Sequence, residues 1–363
     1  MSILLFLIIL IVLVIVHELG HFLVAKFSGI GVKEFGLGFP PRIIGKMWRG
    51  TLYSLNWIPF GGFVKILGED PEELAITEEE KKKNFSYKPR PIQALVLVAG
   101  ISFNILFAWL LISLGFMTGL PTSVGAPTSG NITNPEVVIT EVLENSPAQK
   151  AGLEVGDKIV SLESGVEKVN ALSILGVQDF INGHGKESVR VEYKRGGEDA
   201  IAIVVPQGGI VEGKSAIGVA MDMIGILRLS FFRAFFEGAK LTIDVIKTVA
   251  TGLAGFIWDA VRLKAHFSEV TGPVGIVSLV GSAEKLGFVY ILSLAAFISL
   301  NLAVINLIPF PALDGGRLLF VLIEAIKRSP IKPKVANMIN SVGFAILIVL
   351  MVIVTLHDIV KIL

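Results

Sequence analysis

The sequence predicts a multi-pass α-helical membrane protein with four transmembrane helices, a membrane-associated β-hairpin loop and an inserted α+β domain. Of the 363 residues, 53% are hydrophobic and 17% are charged, and the mean hydropathy is +0.73. This composition is too apolar for an ordinary soluble domain. The apolar residues are concentrated in four uncharged runs at 3–16, 94–120, 286–307 and 342–356. About 20 such residues span the bilayer core as a helix, so each run indicates one span.

The first run admits a second interpretation, because a secretory signal peptide has an apolar stretch of about 7–15 residues. The run lacks a basic segment before it and a small-residue cleavage site after it. A retained helix over residues 1–26 is therefore favoured. The other predicted spans cover residues 94–120, 285–316 and 337–362.

Basic residues predict the orientation of these spans. The connections 27–93 and 317–336 are rich in lysine and arginine, and such residues near membrane ends mark the cytoplasmic side. We expect both termini and the region 121–280 to be extracytoplasmic. The apolar runs indicate a lipid bilayer as surroundings. The net charge of +1 favours neither nucleic acid nor other anionic partners.

The first connection contains a predicted β-hairpin. Residues 51–57 alternate polar and apolar side chains, 59–62 resemble a turn, and 63–67 are apolar again. The hairpin is unusually apolar, and irregular backbone at membrane depth is tolerated only where protein buries it. We expect the hairpin to be membrane-associated and to pack against the helices.

Residues 121–225 change character to a small soluble domain with short strands, two helices and a hairpin around Gly196 and Gly197. Residues 226–284 follow it and predict amphipathic surface helices. Five charged residues of this segment lie on one helical face: Arg233, Glu237, Lys240, Asp244 and Lys247. Each would cost about 2.5 to 3.5 kcal/mol near the bilayer centre. A helix packed on the neighbouring domain is an equally good interpretation.

A candidate metal motif ends the first apolar run. His17 and His21 are four apart on a helix, so both rings lie on one face, and Glu18 can reach a water on a shared metal. Ionisable groups in an apolar transmembrane helix raise its free energy in the bilayer unless they are neutralised or solvated. A bound metal would neutralise them, and a water-filled cavity would solvate them. Two histidines bonded to a neighbouring helix would leave Glu18 unexplained.

A third ligand is needed, since catalytic zinc usually has three protein ligands and a water. The chain has no cysteine, and the histidines at 184, 266 and 357 lie in the soluble domain, after the amphipathic helix and at the far end of the last span. Asp314 ends an uncharged stretch at the same predicted depth as His21. Pro309 and Pro311 predict unwound backbone just before it. Taken alone, Asp314 fits a solvated helix end, but together with the histidines the ligand interpretation is favoured.

These motifs resemble the site-2 protease family, and within it the RseP-like bacterial enzymes that carry a PDZ domain. The resemblance rests on H-E-L-G-H at 17–21, G-L-G-F-P at 36–40, G-G-F-V-K at 61–65, and N-x-x-P-x-P-x-L-D-G at 306–315. It covers nearly the whole chain. The inserted domain is similar to a single PDZ domain through residues 146–148 and 151–157, where many relatives carry two.

The resemblance implies one Zn²⁺ per chain on His17, His21 and Asp314, with Glu18 as general base and Asn306 holding the substrate backbone. It implies an intramembrane endopeptidase of a bacterial inner membrane that cuts single-span substrates, such as anti-sigma factors or signal-peptide remnants, near the cytoplasmic side. The hairpin would hold the unwound substrate by strand addition, and the PDZ domain would bind peptide segments. The alternatives are a membrane metal transporter, which would be expected to show internal repeats, and an inactive adaptor.

Overall fold

The structure, a computed structural model, describes residues 2–69, 77–126, 130–262, 264 and 271–362. The chain divides into two compact units. The helical unit comprises Met1–Ile112, Gly238–Glu284 and Ile291–Leu363, and the β-rich unit comprises Ser113–Glu237 and Lys285–Tyr290. Each unit has its own buried apolar core.

The described helices and strands follow one another along the chain in this order. The helices are α1 Ser2–Phe27, α2 Glu78–Lys83, α3 Arg90–Thr118, α4 Pro147–Lys150, α5 Ile174–Gly183, α6 Phe231–Val261, α7 Pro273–Leu286, α8 Phe288–Leu307, α9 Asp314–Lys327 and α10 Pro333–Ile362. The strands are β1 Val32–Trp48, β2 Thr51–Ile66, β3 Leu120–Ser123, β4 Ile132–Val142, β5 Lys158–Ser164, β6 Glu167–Asn170, β7 Val189–Arg195, β8 Glu198–Val204, β9 Gln207–Val211, β10 Lys214–Ala216 and β11 Val219–Leu227.

Five described helices, and not the predicted four, are long and apolar enough to cross a membrane. The additional one is α6, over Phe231–Ala260, and the others are α1, α3, α8 and α10. The charged face in the first half of α6 predicts a surface helix rather than a span. Its second half, from Thr248 to Trp258, carries no charge, so an 18-residue window meets the criterion. Length and composition therefore leave α6 open as a span, and its surface placement remains a prediction.

The loop after α1 forms a β-hairpin, but its strands are not the predicted ones, because residues 51–57 and 63–66 both belong to the second strand. β1 and β2 pair from Val32 and Ile66 up to Trp48 and Thr51. The turn is therefore Arg49-Gly50, both with positive φ, at 48° and 74°. Gly50 tolerates that conformation because it has no Cβ. Residues 59–62 stay within β2, where the ladder is irregular.

The hairpin doubles back on itself. Residues 34–37 of β1 have partners at 62–65 and also at 52–55. The buried base of the hairpin packs with apolar side chains of α1, α3 and α9, with Val64, Ala25 and Val321 among them. This core fixes β2 against the helices that carry the candidate metal ligands.

The β-rich unit contains a sheet of seven strands. Its order is β3-β11-β4-β5-β7-β8, with β6 pairing to β5, and β9 and β10 form a separate hairpin. Two helices begin at serine caps: Ser146 accepts from the Gln149 N–H before α4, and Ser173 accepts from the Gly176 N–H before α5. Strand and helix side chains such as Leu162, Val177 and Val191 form the core.

Candidate metal centre

The end of α1 brings two imidazoles together. His17 and His21 are one helical turn apart, and their Nε2 atoms lie 3.2 Å from each other. The rings meet edge to face with centroids 4.8 Å apart. Their side chains are only 13% and 10% exposed. Both nitrogens therefore point to one small, buried space.

Asp314 completes the cluster from the unwound stretch between α8 and α9. Its Oδ2 lies 3.1 Å from His17 Nε2 and 3.2 Å from His21 Nε2. Helix α8 ends at Leu307 and α9 begins at Asp314, so the backbone between them is irregular, as Pro309 and Pro311 predict. The structure thus brings together the three residues that the sequence selected as ligands.

Two glycines allow α9 to begin so close to α8. A Cβ on Gly315 would come within 2.2 Å of the Ile308 carbonyl oxygen, and one on Gly316 within 2.2 Å of the Phe310 carbonyl oxygen. The obstructing atoms are backbone atoms, which cannot rotate away as a side chain would. Glycine at both positions therefore lets the first turn of α9 pack directly on the unwound carbonyls.

The three ligand atoms fit a zinc ion. Nitrogen and oxygen ligands at about 2.0 to 2.2 Å from zinc in tetrahedral geometry lie roughly 3.3 to 3.5 Å apart. The observed separations of 3.1, 3.2 and 3.2 Å are within a few tenths of an ångström of that. Oδ2 of Asp314 is buried and has no hydrogen-bond partner among the described residues, as expected of an atom reserved for a cation. Two histidines and a carboxylate also leave one zinc position open.

Helix α3 supports both histidines from the other side. The Val96 carbonyl oxygen lies 2.8 Å from His21 Nδ1, and Asn104 Nδ2 lies 3.3 Å from His17 Nδ1. Gly100 lies between them, and a Cβ there would come within 2.3 Å of His21 Nε2. The sequence did not predict that Val96, Gly100 and Asn104 lie beside the two histidines. One signal was present, because Asn104 is the single carboxamide in the run 94–120.

Glu18 faces the second hairpin strand. A Cβ built on Gly62 would lie 3.6 Å from Glu18 Cγ and 3.2 Å from Val14 Cγ1, so β2 runs directly beside α1 here. Glu18 also follows His17 directly on α1. The candidate base therefore lies next to both the ligand cluster and the strand.

A cavity of about 810 Å³ opens in the helical unit near α9. Its walls come from the loop after β2, α3, α9 and α10, and include Glu69 and Arg317. Glu69 forms an ion pair with Arg317, which is three residues beyond Asp314. Arg90 pairs with Glu324 at 2.6 Å on the same walls. Charged side chains therefore lie on the walls of this cavity, and one of them, Arg317, is three residues from Asp314.

The remaining candidates lie elsewhere. Asn306 is half-buried near the end of α8, and its side chain forms no hydrogen bond within the described part of the chain. His184 stacks on Phe180 in the β-rich unit. His357 lies on α10, and His266 lies outside the described residues. Among the described residues, only His17, His21 and Asp314 form a group able to hold a metal.

Known proteins resemble this chain along nearly its whole length. The model described as Peptidase family M50 matches residues 5–350. A Clostridium perfringens protein named as a candidate zinc metalloprotease is 35% identical over 352 residues, which are 96% of this chain and 95% of the relative. The Bacillus subtilis protein named regulator of sigma-W protease RasP is 28% identical over 427 residues, 96% of this chain and 95% of its own.

One solved structure, the PDZ domain of an SdrC-like protein from Listeria monocytogenes, covers 25% of this chain and 92% of its own, with 24% identity and a TM-score of 0.21. The full-length family match and the relatives decide the assignment. The chain belongs to peptidase family M50, the site-2 proteases, and is a zinc metalloprotease of that type.

Proposed function

We propose that this protease hydrolyses peptide bonds within the transmembrane segments of single-span proteins, using one zinc per chain on His17, His21 and Asp314. The observation that carries the proposal is the position of the cluster. Two ligands belong to α1, a 26-residue helix with the composition of a membrane span. The third begins α9, seven residues after the end of α8, another such helix. A peptidase centre built there meets substrates at membrane depth.

Glu18 is the proposed general base. When bound, zinc polarises the scissile carbonyl and lowers the pKa of water to about 7. Glu18 takes one proton from the attacking water and delivers it to the amide nitrogen as the carbon–nitrogen bond breaks. The water oxygen ends on the new carboxylate, and the new amine leaves. The water enters through the polar cavity beside Arg317.

The substrate must unwind before it can react, since a helical backbone shields its carbonyls. Residues 62–66 of β2 have partners only on β1 among the described strands, which leaves their other edge available for an added strand. An extended substrate segment would pair there by backbone hydrogen bonds. Asn306, whose amide is not bonded to described residues, would hold the substrate backbone near the scissile bond.

The β-rich unit is the proposed PDZ domain. Its α+β composition, with two short helices against one sheet, supports that assignment, and a PDZ domain would bind peptide segments and restrict access. We place it on the extracytoplasmic side and the metal centre near the cytoplasmic side of a bacterial inner membrane, from the basic loops. A relative named regulator of sigma-W protease supports regulated intramembrane proteolysis, with anti-sigma factors or signal-peptide remnants as substrates. Family membership favours this over a transporter or an inactive adaptor.

The test is the variant Glu18→Gln in liposomes with a tagged single-span substrate. Loss of the base is expected to lower the cleavage rate by about 10² to 10⁴-fold while one zinc per chain remains bound, because Glu18 is not a ligand. Mass spectrometry of the wild-type products locates the cut. Cleavage at the wild-type rate, or a cut in the soluble part of the substrate, would contradict the proposal.

A further inference from the structure

We propose that Asn104 is a positioning residue that holds the imidazole of His17 in the tautomer able to bind zinc through Nε2. This inference rests on the proposed ligand role of His17. Asn104 is completely buried on α3, and its carboxamide faces His17 Nδ1 at 3.3 Å. A buried amide without a full set of partners is costly, so its presence in an apolar helix requires a reason.

The orientation of the amide gives that reason. Nδ2 faces His17 Nδ1, while Oδ1 has no hydrogen-bond partner among the described residues. The oxygen and nitrogen of a carboxamide have nearly the same shape, so the hydrogen-bond network decides which one faces a neighbour. Rotating the amide by half a turn brings Oδ1 to His17. Oδ1 then accepts a hydrogen bond from Nδ1–H.

Only the rotated amide agrees with a metal ligand. His17 Nε2 points at Asp314 Oδ2 and His21 Nε2, so it must carry a lone pair if these atoms share a zinc. The proton of the neutral ring then belongs on Nδ1, which needs an acceptor. Metal-bound histidines generally donate their second N–H to a carboxylate, a carbonyl or water, and this fixes the ring.

His21 provides an internal precedent. Its Nδ1 lies 2.8 Å from the Val96 carbonyl oxygen, also on α3. One ligand is thus held by a backbone carbonyl and the other by a side-chain carbonyl, eight residues further along the same helix. The backbone oxygen of Asn104 also accepts a hydrogen bond from the buried Ser299 hydroxyl of α8 at 2.9 Å. This bond links α3 to the helix that leads to Asp314.

The experiment compares zinc affinity, by chelator competition, in the purified full-length protein and its variants. Asn104→Leu removes the acceptor at similar size and should weaken zinc binding 10 to 100-fold, the usual effect of losing such a partner. Asn104→Asp keeps an oxygen toward Nδ1–H and should stay within about threefold of wild type. A matched control is Gln93→Leu, which removes another fully buried amide of α3, bonded to the Lys88 and Ser86 carbonyls.

The outcomes separate the two proposals. Gln93→Leu should lower the melting temperature and leave zinc affinity unchanged, while His17→Ala should abolish tight binding. If Asn104→Leu binds zinc like wild type, or if Asn104→Asp or Gln93→Leu loses as much affinity as Asn104→Leu, the positioning role is wrong although His17 remains a ligand. If His17→Ala binds zinc normally, the ligand assignment itself fails, and this inference fails with it.

Discussion

The two units of the molecule each bury an aspartate, and the two carboxylates have opposite surroundings. In the β-rich unit, Asp157 is fully buried and accepts two bonds from Arg195, Nε to Oδ1 and Nη2 to Oδ2, both at 2.7 Å. It also accepts from the Glu154 N–H at 2.8 Å. In the helical unit, Asp314 Oδ2 has no hydrogen-bond partner among the described residues and faces two imidazole nitrogens.

The difference separates a structural carboxylate from one reserved for a ligand. Buried polar groups are nearly always paired, and an orphan needs an explanation. The contact with Asp157 raises the pKa of the Arg195 guanidinium above its ordinary value, and both carboxylate oxygens already have partners within the polypeptide. Asp314 has room for a partner that the polypeptide does not supply. The same residue type therefore stabilises the fold in one unit and is the proposed cation ligand in the other.

The largest expected effect comes from changing Asp314, the carboxylate without a hydrogen-bond partner among the described residues. Asp314→Asn should lower peptidase activity by about 10³-fold or more, because the metal supplies several kcal/mol of transition-state stabilisation. The zinc content measured by atomic emission should fall with it.

A second aspartate of the helical unit provides the matched control. Asp358 is buried on α10 and accepts from the Gly272 and Gly275 N–H groups at 3.2 and 2.8 Å. Asp358→Asn should lower the melting temperature while zinc content stays near wild type. Equal zinc loss in both variants would mean that Asp314 acts on the fold rather than on the metal.

The next largest effect comes from removing the partner of the paired carboxylate, Asp157. Arg195→Leu leaves the Asp157 charge buried and unpaired, which typically costs about 3 to 5 kcal/mol. Hydrogen exchange of the protected amides of β5 and β7 in the intact protein should speed up by roughly 10² to 10³-fold or more. Zinc affinity should not change. The double variant Asp157→Leu with Arg195→Leu should recover most of the loss, and a double variant no better than the single one would contradict the pairing argument.

A third and smaller effect concerns how Asp314 is placed. Gly315→Ala puts a methyl group against the Leu307 and Ile308 carbonyl oxygens, at 2.4 and 2.2 Å, so the first turn of α9 must move. A displacement of about 1 Å at a catalytic group can lower activity about 10²-fold, and activity with saturating zinc measures it. In the control Gly252→Ala on α6, the new Cβ meets no atom within 4 Å. Activity there should stay at the wild-type level.

How far the sequence predicts these features depends on whether the signal is local. The spacing of His17 and His21 is a helical repeat, and the prolines before Asp314 forecast the break between α8 and α9, so both could be read directly. The approach of Gly100 and Asn104 depends on how α3 is rotated about its axis, which an evenly apolar run does not encode. The turn at Arg49-Gly50 was missed because the Pro-Gly pattern at 59–62 is a stronger turn signal, although residues 59–62 lie inside β2.

The smallest effect tests whether hydrogen bonds alone, without burial, make a carboxylate structural. Glu192 on β7 accepts from the Ser161 hydroxyl at 2.5 Å and from Lys168 at 2.9 Å, a set comparable to that of Asp157, but it lies at the surface. The Ser161 and Lys168 bonds lower its pKa below the ordinary 4.5. Its contribution to stability is therefore present above about pH 4.5 and is lost as the pH falls through the lowered value.

Glu192→Gln should flatten that acid dependence slightly and leave stability at pH 7 almost unchanged, because solvent screens an exposed ion pair. Hydrogen exchange of β7 amides, corrected for the intrinsic pH dependence of exchange, measures both. A loss at pH 7 as large as that of Arg195→Leu would show that the hydrogen-bond set decides the role of a carboxylate regardless of burial. The difference between Asp157 and Asp314 would then follow from their hydrogen-bond partners alone. The missing partner of Asp314 Oδ2 would be enough, without burial, to single it out as a candidate metal ligand.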